Sequence, residues 1–405
     1  MGRISGLAFT SLAHFTNDGA VFFIPLVAAV LVDAKGFSPL EITAMFFVFY
    51  GSSALLSPYV GRLADRTGRP CPLIGAGLAL LSLGLVGYAL ALAYASGAAL
   101  VAAVALSAVL AGFGSAFYHP LGASVLQGLF PEESKGLALG INGAMGSLGR
   151  ALYPSLFFLI AVVLTSDGAI AFFALVGFVA AAAIWAAVPR PPPGGTAEEA
   201  ARAPGAAKAA LTKGIVALTG VAFLRSFATT GIASWVPTYL STQKGLGVSS
   251  ALGLALTTMY AAAILGQPLF GWLVDRFDKR LVLGLSSTGA ALTILAYLDV
   301  TSAAAGLALL FLFGLFTFSG FPLLLSLAAD YVPRGATGLG NALVWGLGTT
   351  TGGVIGPLVV GAIALNDYAN LGFAFAVMAG AAVVSAFATA LIPRAGRAGK
   401  MPLFG

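Results

Sequence analysis

The sequence predicts an all-α integral membrane protein: twelve transmembrane helices in two six-helix, pseudo-symmetric bundles. Three observations carry this. First, 59% of the 405 residues are hydrophobic, 8% are charged, and the mean hydropathy is +0.99. That is too little charge to coat a surface facing water. Second, the charged residues fall into clusters separated by twelve apolar runs, each long enough to cross roughly 30 Å of hydrocarbon, which takes about 20 helical residues. Third, a charged segment occurs twice, as GRLADRTGRP at Gly61–Pro70 and as GWLVDRFDKR at Gly271–Arg280. Gly61 aligns with Gly271, Asp65 with Asp275, Arg66 with Arg276 and Arg69 with Lys279, and Pro58 and Pro268 stand the same distance upstream. Turns this short join neighbouring membrane-crossing helices on one side of a bilayer.

The first run spans about Gly6 to Val32 and carries His14, Asn17 and Asp18 inside the apolar stretch, on one helical face. The second, near Leu40 to Val60, presents Gly51, Ser52, Ser53 and Ser57, a small-residue surface that lets another helix approach. The third runs from Pro72 to about Tyr94, and the fourth from Gly97 to Leu129. In the fourth, GFGSAFYHPLGA places His119 mid-run, and Pro120 frees a backbone carbonyl. The fifth starts after Pro131, Glu132 and Glu133; its face Gly140, Gly143, Gly146 and Gly149 ends in Arg150 and Pro154. The sixth closes the first half near Val188.

Pro189 to Lys213 is polar and rich in proline and glycine, so it reads as a linker, with room for a surface helix over Ala197–Ala210. The seventh run follows from about Ile215 to Leu240, the eighth ends at Trp272, the ninth at Leu298, the tenth at Tyr331, and two more complete the set. Gly19 and Pro25 match Gly231 and Pro237, and Pro131 and Gly136 match Pro333 and Gly338. The expected organisation is therefore an N-terminal bundle over 1–188, a cytoplasmic linker over 189–213, and a C-terminal bundle with a short cytoplasmic tail over 214–405. Six crossings return the chain to its starting side, so the halves are parallel repeats about an axis along the membrane normal.

Charge placement orients the molecule. If the helices alternate, nearly all lysines and arginines outside the runs fall on one side, and only Lys35 and Lys244 on the other. By the positive-inside rule both termini and both repeated turns are cytoplasmic, in a multi-pass protein of the cell membrane. No cleaved signal is expected, because the first run is too long and has no small-residue cleavage pattern. The single cysteine, Cys71, excludes an intramolecular disulfide and a cysteine-based metal site.

Ionisable side chains within the runs are His14, Asp18, His119, Arg150 and Arg225. Each costs several kcal/mol against lipid, so each is expected to face the bundle interior or a watery cavity. His14 and Asp18, four residues apart, stack on one face. Counting about 1.5 Å per residue from the cytoplasmic end puts Asp18, Arg150 and Arg225 near mid-membrane and His119 nearer the level of His14. One reading makes Asp18, with His14, Asn17 and His119, a site where protons exchange for substrate, since imidazole titrates near neutral pH. The other makes them a structural hydrogen-bonded set holding the first and fourth runs together. Arg150 and Arg225, one from each half, either close two guanidinium forks on an anion, or serve as counter-ions, Arg225 to Asp18 and Arg150 to a carbonyl or acid. Tyr118, Phe227, Trp235, Tyr239 and Trp345 either line a cavity or pack.

The repeated turns resemble the loop signature of the major facilitator superfamily: glycine, any residue, leucine, any residue, Asp-Arg, then basic residues. That resemblance implies the major facilitator fold and a cytoplasmic gate, in which Asp65 meets the start of the eleventh run near Thr337 and Asp275 the start of the fifth near Lys135. The gate set is Gly61, Asp65, Arg66, Arg69, Gly271, Asp275, Arg276, Arg280 and Asp330, with Asp330 placed to pair with Arg276 or Arg280. The glycine tracks of the fifth and eleventh runs, the latter GLGTTTGGVIGP at Gly346–Pro357, partly resemble the antiporter signature of the drug:proton branch. SLAHFTND, GSAFYHPLGA and FLRSFATTG resemble the fosmidomycin resistance proteins, a branch that exports a phosphonate antibiotic.

The expected function is proton-coupled export of a small organic anion or drug-like compound by alternating access, with organic-anion uptake or exchange as the alternative. A receptor or an embedded enzyme is disfavoured, since no soluble domain, nucleophile, cofactor motif or metal cluster is evident. Expected partners are a small-molecule substrate, protons and the lipid bilayer, without nucleic acid, cofactor or metal, and the chain is expected to act as a monomer.

Overall fold

The computed structural model describes residues 3–67, 69–187, 211–332 and 337–394. The side chains of Asp65, Arg66 and Lys135 lie outside what is described, as does most of the expected linker, including Ala197–Ala210. The extended elements among the described residues are all helical. They are α1 (Arg3–Lys35), α2 (Pro39–Thr67), α3 (Pro70–Tyr94), α4 (Gly97–Ser115), α5 (Tyr118–Leu129), α6 (Glu132–Ala187), α7 (Lys213–Thr242), α8 (Ser250–Val274), α9 (Lys279–Asp299), α10 (Ala303–Phe318), α11 (Gly320–Tyr331) and α12 (Thr337–Ala342). A π-helical stretch, Leu343–Thr350, then leads into α13 (Thr351–Ala364), and α14 (Leu371–Ala388) follows.

Among the described residues, eleven segments are long and apolar enough to cross a membrane, and one of them, Leu137–Ala186, has 50 residues. Within it Thr165 leaves helical geometry, at φ 65° and ψ 173°. On a straight helix residues 153 and 173 would be about 30 Å apart, yet the rings of Tyr153 and Phe173 stack at 4.2 Å. The chain therefore doubles back at Thr165, and this segment supplies two crossings, which makes twelve.

The expected turn Gly61–Pro70 is mostly helical, because α2 continues to Thr67. Leu63, Ala64, Asp65 and Arg66 contain no breaker, and the helix continues to Thr67, ahead of Pro70. The second copy behaves differently, with α8 ending at Val274. The fourth and tenth runs, expected as unbroken helices, each divide. The α4–α5 break falls at Ala116–Phe117, before Pro120, and the α10–α11 break at Ser319, before Pro322. Proline lacks the N–H that would close the preceding turn.

The chain divides into two compact units. Unit 1 comprises Met1–Gly194, Val236–Thr257 and Leu365–Tyr368, and unit 2 the remainder. In unit 1, α1 packs along α6, and Phe23 of α1 meets Tyr153, Phe157 and Phe173. A Cβ at Gly149 would overlap the Phe15 carbonyl oxygen, so glycine is what lets α1 and α6 approach backbone to backbone. In unit 2, Gly348, Gly352 and Gly356 meet the carbonyl oxygens of Thr219, Phe223 and Phe227, both sets stepping by four residues, so the eleventh crossing lies flush against α7. These glycines are packing surfaces. Trp235 is packing too, fully buried with its Nε1 donating to the Pro357 carbonyl at 2.9 Å.

Candidate functional site

Two helical faces in register build the site. On α1, Thr10, His14, Asp18 and Phe22 recur every four residues; on α6, Asn142, Gly146 and Arg150 do the same. This spacing places each set on one side of its helix. Gly146 lies opposite His14, where a Cβ would overlap the imidazole. The space it leaves lets His14 Nδ1 approach Asn142 Oδ1 to 2.9 Å. One step further along both helices, Arg150 Nε lies 3.7 Å from Asp18 Oδ2.

The α4–α5 break supplies the third wall. Because α5 starts at Tyr118, both Tyr118 and His119 sit in its first turn. Tyr118 is buried, its ring 4.7 Å from that of His14, and its hydroxyl lies 2.9 Å from the Thr10 carbonyl oxygen and 3.0 Å from Asn142 Oδ1. His119 turns its Nε2 to Asp18 Oδ1 at 3.1 Å, while His14 Nε2 lies 3.3 Å from Oδ2. Asn17 is fully buried and donates from Nδ2 to Asp18 Oδ1 at 3.1 Å. Asp18 thus has an imidazole on each oxygen, an amide on one and a guanidinium near the other. The Asp18 side chain is 5% exposed and that of His119 is 57% exposed, so the cluster is closed behind the carboxylate and open at His119.

Arg150 is held from three sides: by Asp18, by Ser147 Oγ at 2.8 Å from its NH2, and by the Phe22 ring 4.9 Å beneath its guanidinium carbon. The counter-ion arrangement expected from sequence therefore holds for Arg150, which stands against an acid, and fails for Arg225, which does not take Asp18. Arg150 stands against Asp18, and it is Arg225 that binds carbonyls. Within unit 2, the NH2 of buried Arg225 donates to Phe316 O at 2.7 Å, to Thr317 O at 3.0 Å and to Ser286 Oγ at 2.9 Å. These carbonyls belong to the last turn of α10, which the break at Ser319 leaves without helical donors. A cation at the negative end of a helix dipole suits that place.

The gate residues show a further correction. Asp330 pairs with Lys279 at 2.7 Å, not with Arg276 or Arg280. Arg280 is taken by Asp278 Oδ2 at 2.5 Å and by the Ile392 carbonyl at 3.0 Å, and Arg276 lies over the Trp272 ring at 4.4 Å. Asp275 is exposed in the turn after α8, and Arg69 is the exposed residue preceding α3. A Cβ at Gly61 or at Gly271 would meet nothing within 4 Å. The contacts expected of Asp65 with Thr337 and of Asp275 with Lys135 fall on residues outside those described.

Sequence reasoning missed Asn142, Ser147 and Ser286. Asn142 was findable: it is a lone amide in an apolar run, at the same four-residue step as Gly146 and Arg150. Ser147 and Ser286 carry no such signal. Although no metal was expected from sequence, the ligand atoms of His14, Asp18 and His119 all lie within 4.8 Å of one another, a two-nitrogen, one-carboxylate donor set.

The sequence model of the Major Facilitator Superfamily matches residues 7–343 and 245–402. An uncharacterized MFS-type transporter, YfnC, of Bacillus subtilis strain 168 is 28% identical over 367 residues, covering 88% of this chain and 86% of that protein. The fosmidomycin resistance protein of Escherichia coli K12 is 27% identical over 368 residues, with the same two coverages. In three dimensions the chain is similar to a bacterial homolog of the human lysosomal transporter Spinster, solved in an inward-facing, unoccupied conformation. The TM-score is 0.75 and the identity 17%, over 96% of each chain.

Proposed function

The chain belongs to the Major Facilitator Superfamily and is a multi-pass membrane transporter, not an enzyme, and from that premise we propose that it exports a small organic anion or drug-like compound in exchange for protons by alternating access. The observation carrying this reading is the convergence on Asp18 of both histidines in the chain. A proton arriving at exposed His119 is 3.1 Å from Asp18 Oδ1, and His14 stands on the other oxygen. A carboxylate between two imidazoles can take up and release a proton without leaving a bare charge in a low-dielectric interior. Asn142 and Asn17 orient the pair, and Arg150 counters the charge of Asp18 when the proton is absent. The relative named for resistance to fosmidomycin supports the outward direction.

The alternative, uptake or exchange of an organic anion between Arg150 and Arg225, draws less support, because Arg150 faces a carboxylate and Arg225 is engaged by carbonyls. In the proposed cycle the repeated turns, with Gly61, Asp65, Arg66, Arg69, Gly271, Asp275, Arg276, Arg280 and Asp330, work as the cytoplasmic gate. The termini are cytoplasmic and the working unit is a monomer.

The test is proton movement in proteoliposomes loaded with a pH dye and challenged with organic anions and cationic drugs. The expected result is proton flux opposite to substrate flux in the wild type, lost in Asp18→Asn. Substrate exchange without proton flux, equal in wild type and variant, would overturn it.

A further inference from the structure

We propose that His14, Asp18 and His119 bind a divalent transition-metal cation, with Co2+, Ni2+ and Zn2+ the ions best matched to the site, so that a metal ion is a cargo competing with protons at the same atoms. This inference rests on the transport reading above only for the word cargo. The binding itself rests on geometry.

The chain has two histidines, residues 105 apart in sequence, and both turn Nε2 towards one carboxylate, at 3.3 Å and 3.1 Å. Ligand atoms about 2.0–2.2 Å from a zinc-like ion in a tetrahedron lie roughly 3.3–3.6 Å from one another. The two imidazole–carboxylate separations are close to that range, and the three ligand atoms, all within 4.8 Å of one another, would draw together by side-chain rotation to complete three vertices. The fourth vertex falls on the open side, where His119 is 57% exposed, and is available to water or to an anionic ligand.

The second shell fits as well. Metal-binding imidazoles usually anchor their other ring nitrogen on an oxygen acceptor, which fixes the tautomer. Here His14 Nδ1 lies 2.9 Å from Asn142 Oδ1, which leaves Nε2 directed at Asp18. Two imidazoles and one carboxylate favour borderline transition cations over Mg2+ or Ca2+, which prefer oxygen donors. Arg150 does not occupy the carboxylate closely: its Nε is 3.7 Å away, and its NH2 is held by Ser147. Its charge weakens the hold on a bare cation and favours an anion at the fourth vertex, as suits an ion that must be released again.

Metal and proton compete by simple stoichiometry. Each ligand must be unprotonated to donate its lone pair, so loading one M2+ displaces whatever protons the three groups carried.

The test uses full-length detergent-purified protein carrying no histidine tag, titrated with CoCl2 and followed by calorimetry and by the visible Co2+ spectrum. The expected result is one ion per chain with the intensified spectrum of tetrahedral Co2+, and no heat with MgCl2. Removing any one ligand, by His14→Ala, Asp18→Asn or His119→Ala, is expected to weaken binding at least tenfold, and Asn142→Leu about 10- to 100-fold. His119→Ala is the variant least able to disturb the fold, because its side chain is the exposed one. Binding that persists unchanged in the His14→Ala, His119→Ala double variant, which contains no histidine, overturns the proposal, as does absence of binding in a wild type that melts cooperatively. The transport reading is judged separately. Co2+ binding without proton movement in Co2+-loaded proteoliposomes would sink proton coupling and leave the site standing, whereas proton-coupled drug flux without Co2+ binding would do the reverse.

Discussion

Arg225 shows how a single residue can meet a demand that its helix creates elsewhere. The break before Pro322 strips the last turn of α10 of its donors, and one guanidinium NH2, from a helix distant in sequence, returns hydrogen bonds to Phe316 and Thr317. Arg225→Leu leaves the Thr317 carbonyl without that donor in the interior, at an expected cost of about 1–3 kcal/mol. Arg225→Lys keeps the charge without the fork and should fall between the two. Thermal unfolding in detergent checks this, and equal midpoints for wild type and Arg225→Leu would remove the capping role. Asp18 and the two histidines were legible in sequence because an ionisable group in an apolar run is conspicuous. Their partners were not, because the choice between Arg150 and Arg225 depends on which helix faces lie together.

At the scale of elements, glycine spacing decides how closely helices approach. Gly143 and Gly149 lie on the same α6 track, yet a Cβ at Gly149 would overlap the Phe15 carbonyl and one at Gly143 would meet nothing within 4 Å. Gly149→Ala is expected to cost about 1–3 kcal/mol, since a backbone oxygen cannot give way as a flexible side chain can. It would also pull Arg150 from Asp18 and so reduce proton exchange. Gly143→Ala is expected to be neutral or to stabilise by up to about 1 kcal/mol through helix propensity. Unfolding midpoints of the two variants check the contrast, and equal effects would mean that the close approach of α1 and α6 is not what Gly149 serves. The apolar runs were readable as helices from length alone. The reversal between the fifth and sixth crossings was implied by the count of twelve runs, with the polar Thr165–Gly168 between them. The breaks at Ala116–Phe117 and Ser319 were not legible, because the fourth and tenth runs stay apolar through those points.

At the scale of the whole molecule, the start of α9 ties together segments far apart in sequence: Arg280 reaches the Ile392 carbonyl and Lys279 reaches Asp330. Asp278 caps α9 by accepting from the Arg280 backbone N–H at 3.0 Å, and the Arg280 guanidinium beside it holds its carboxyl below the usual carboxylate range. A carboxyl with a depressed folded-state pKa contributes stability that is present above its ordinary pKa and is lost as pH falls through the depressed value. Asp278→Asn should therefore unfold earlier than wild type at neutral pH, with a gap that closes on acidification. Because the group is part-exposed the gap will be small, and a gap that widened in acid would contradict the assignment. The two copies of the repeated turn also part company here, the first staying helical to Thr67 and the second stopping at Val274. The sequence by itself determined the solvent, the family, the number of crossings and the small set of interior ionisable groups, because each follows from the cost of placing charge and unpaired backbone in hydrocarbon. Only the tertiary structure decided which of those groups meet, since pairing at 3 Å depends on helix register, on glycines that admit a neighbour, and on breaks that turn a residue such as His119 toward a carboxylate a hundred positions away.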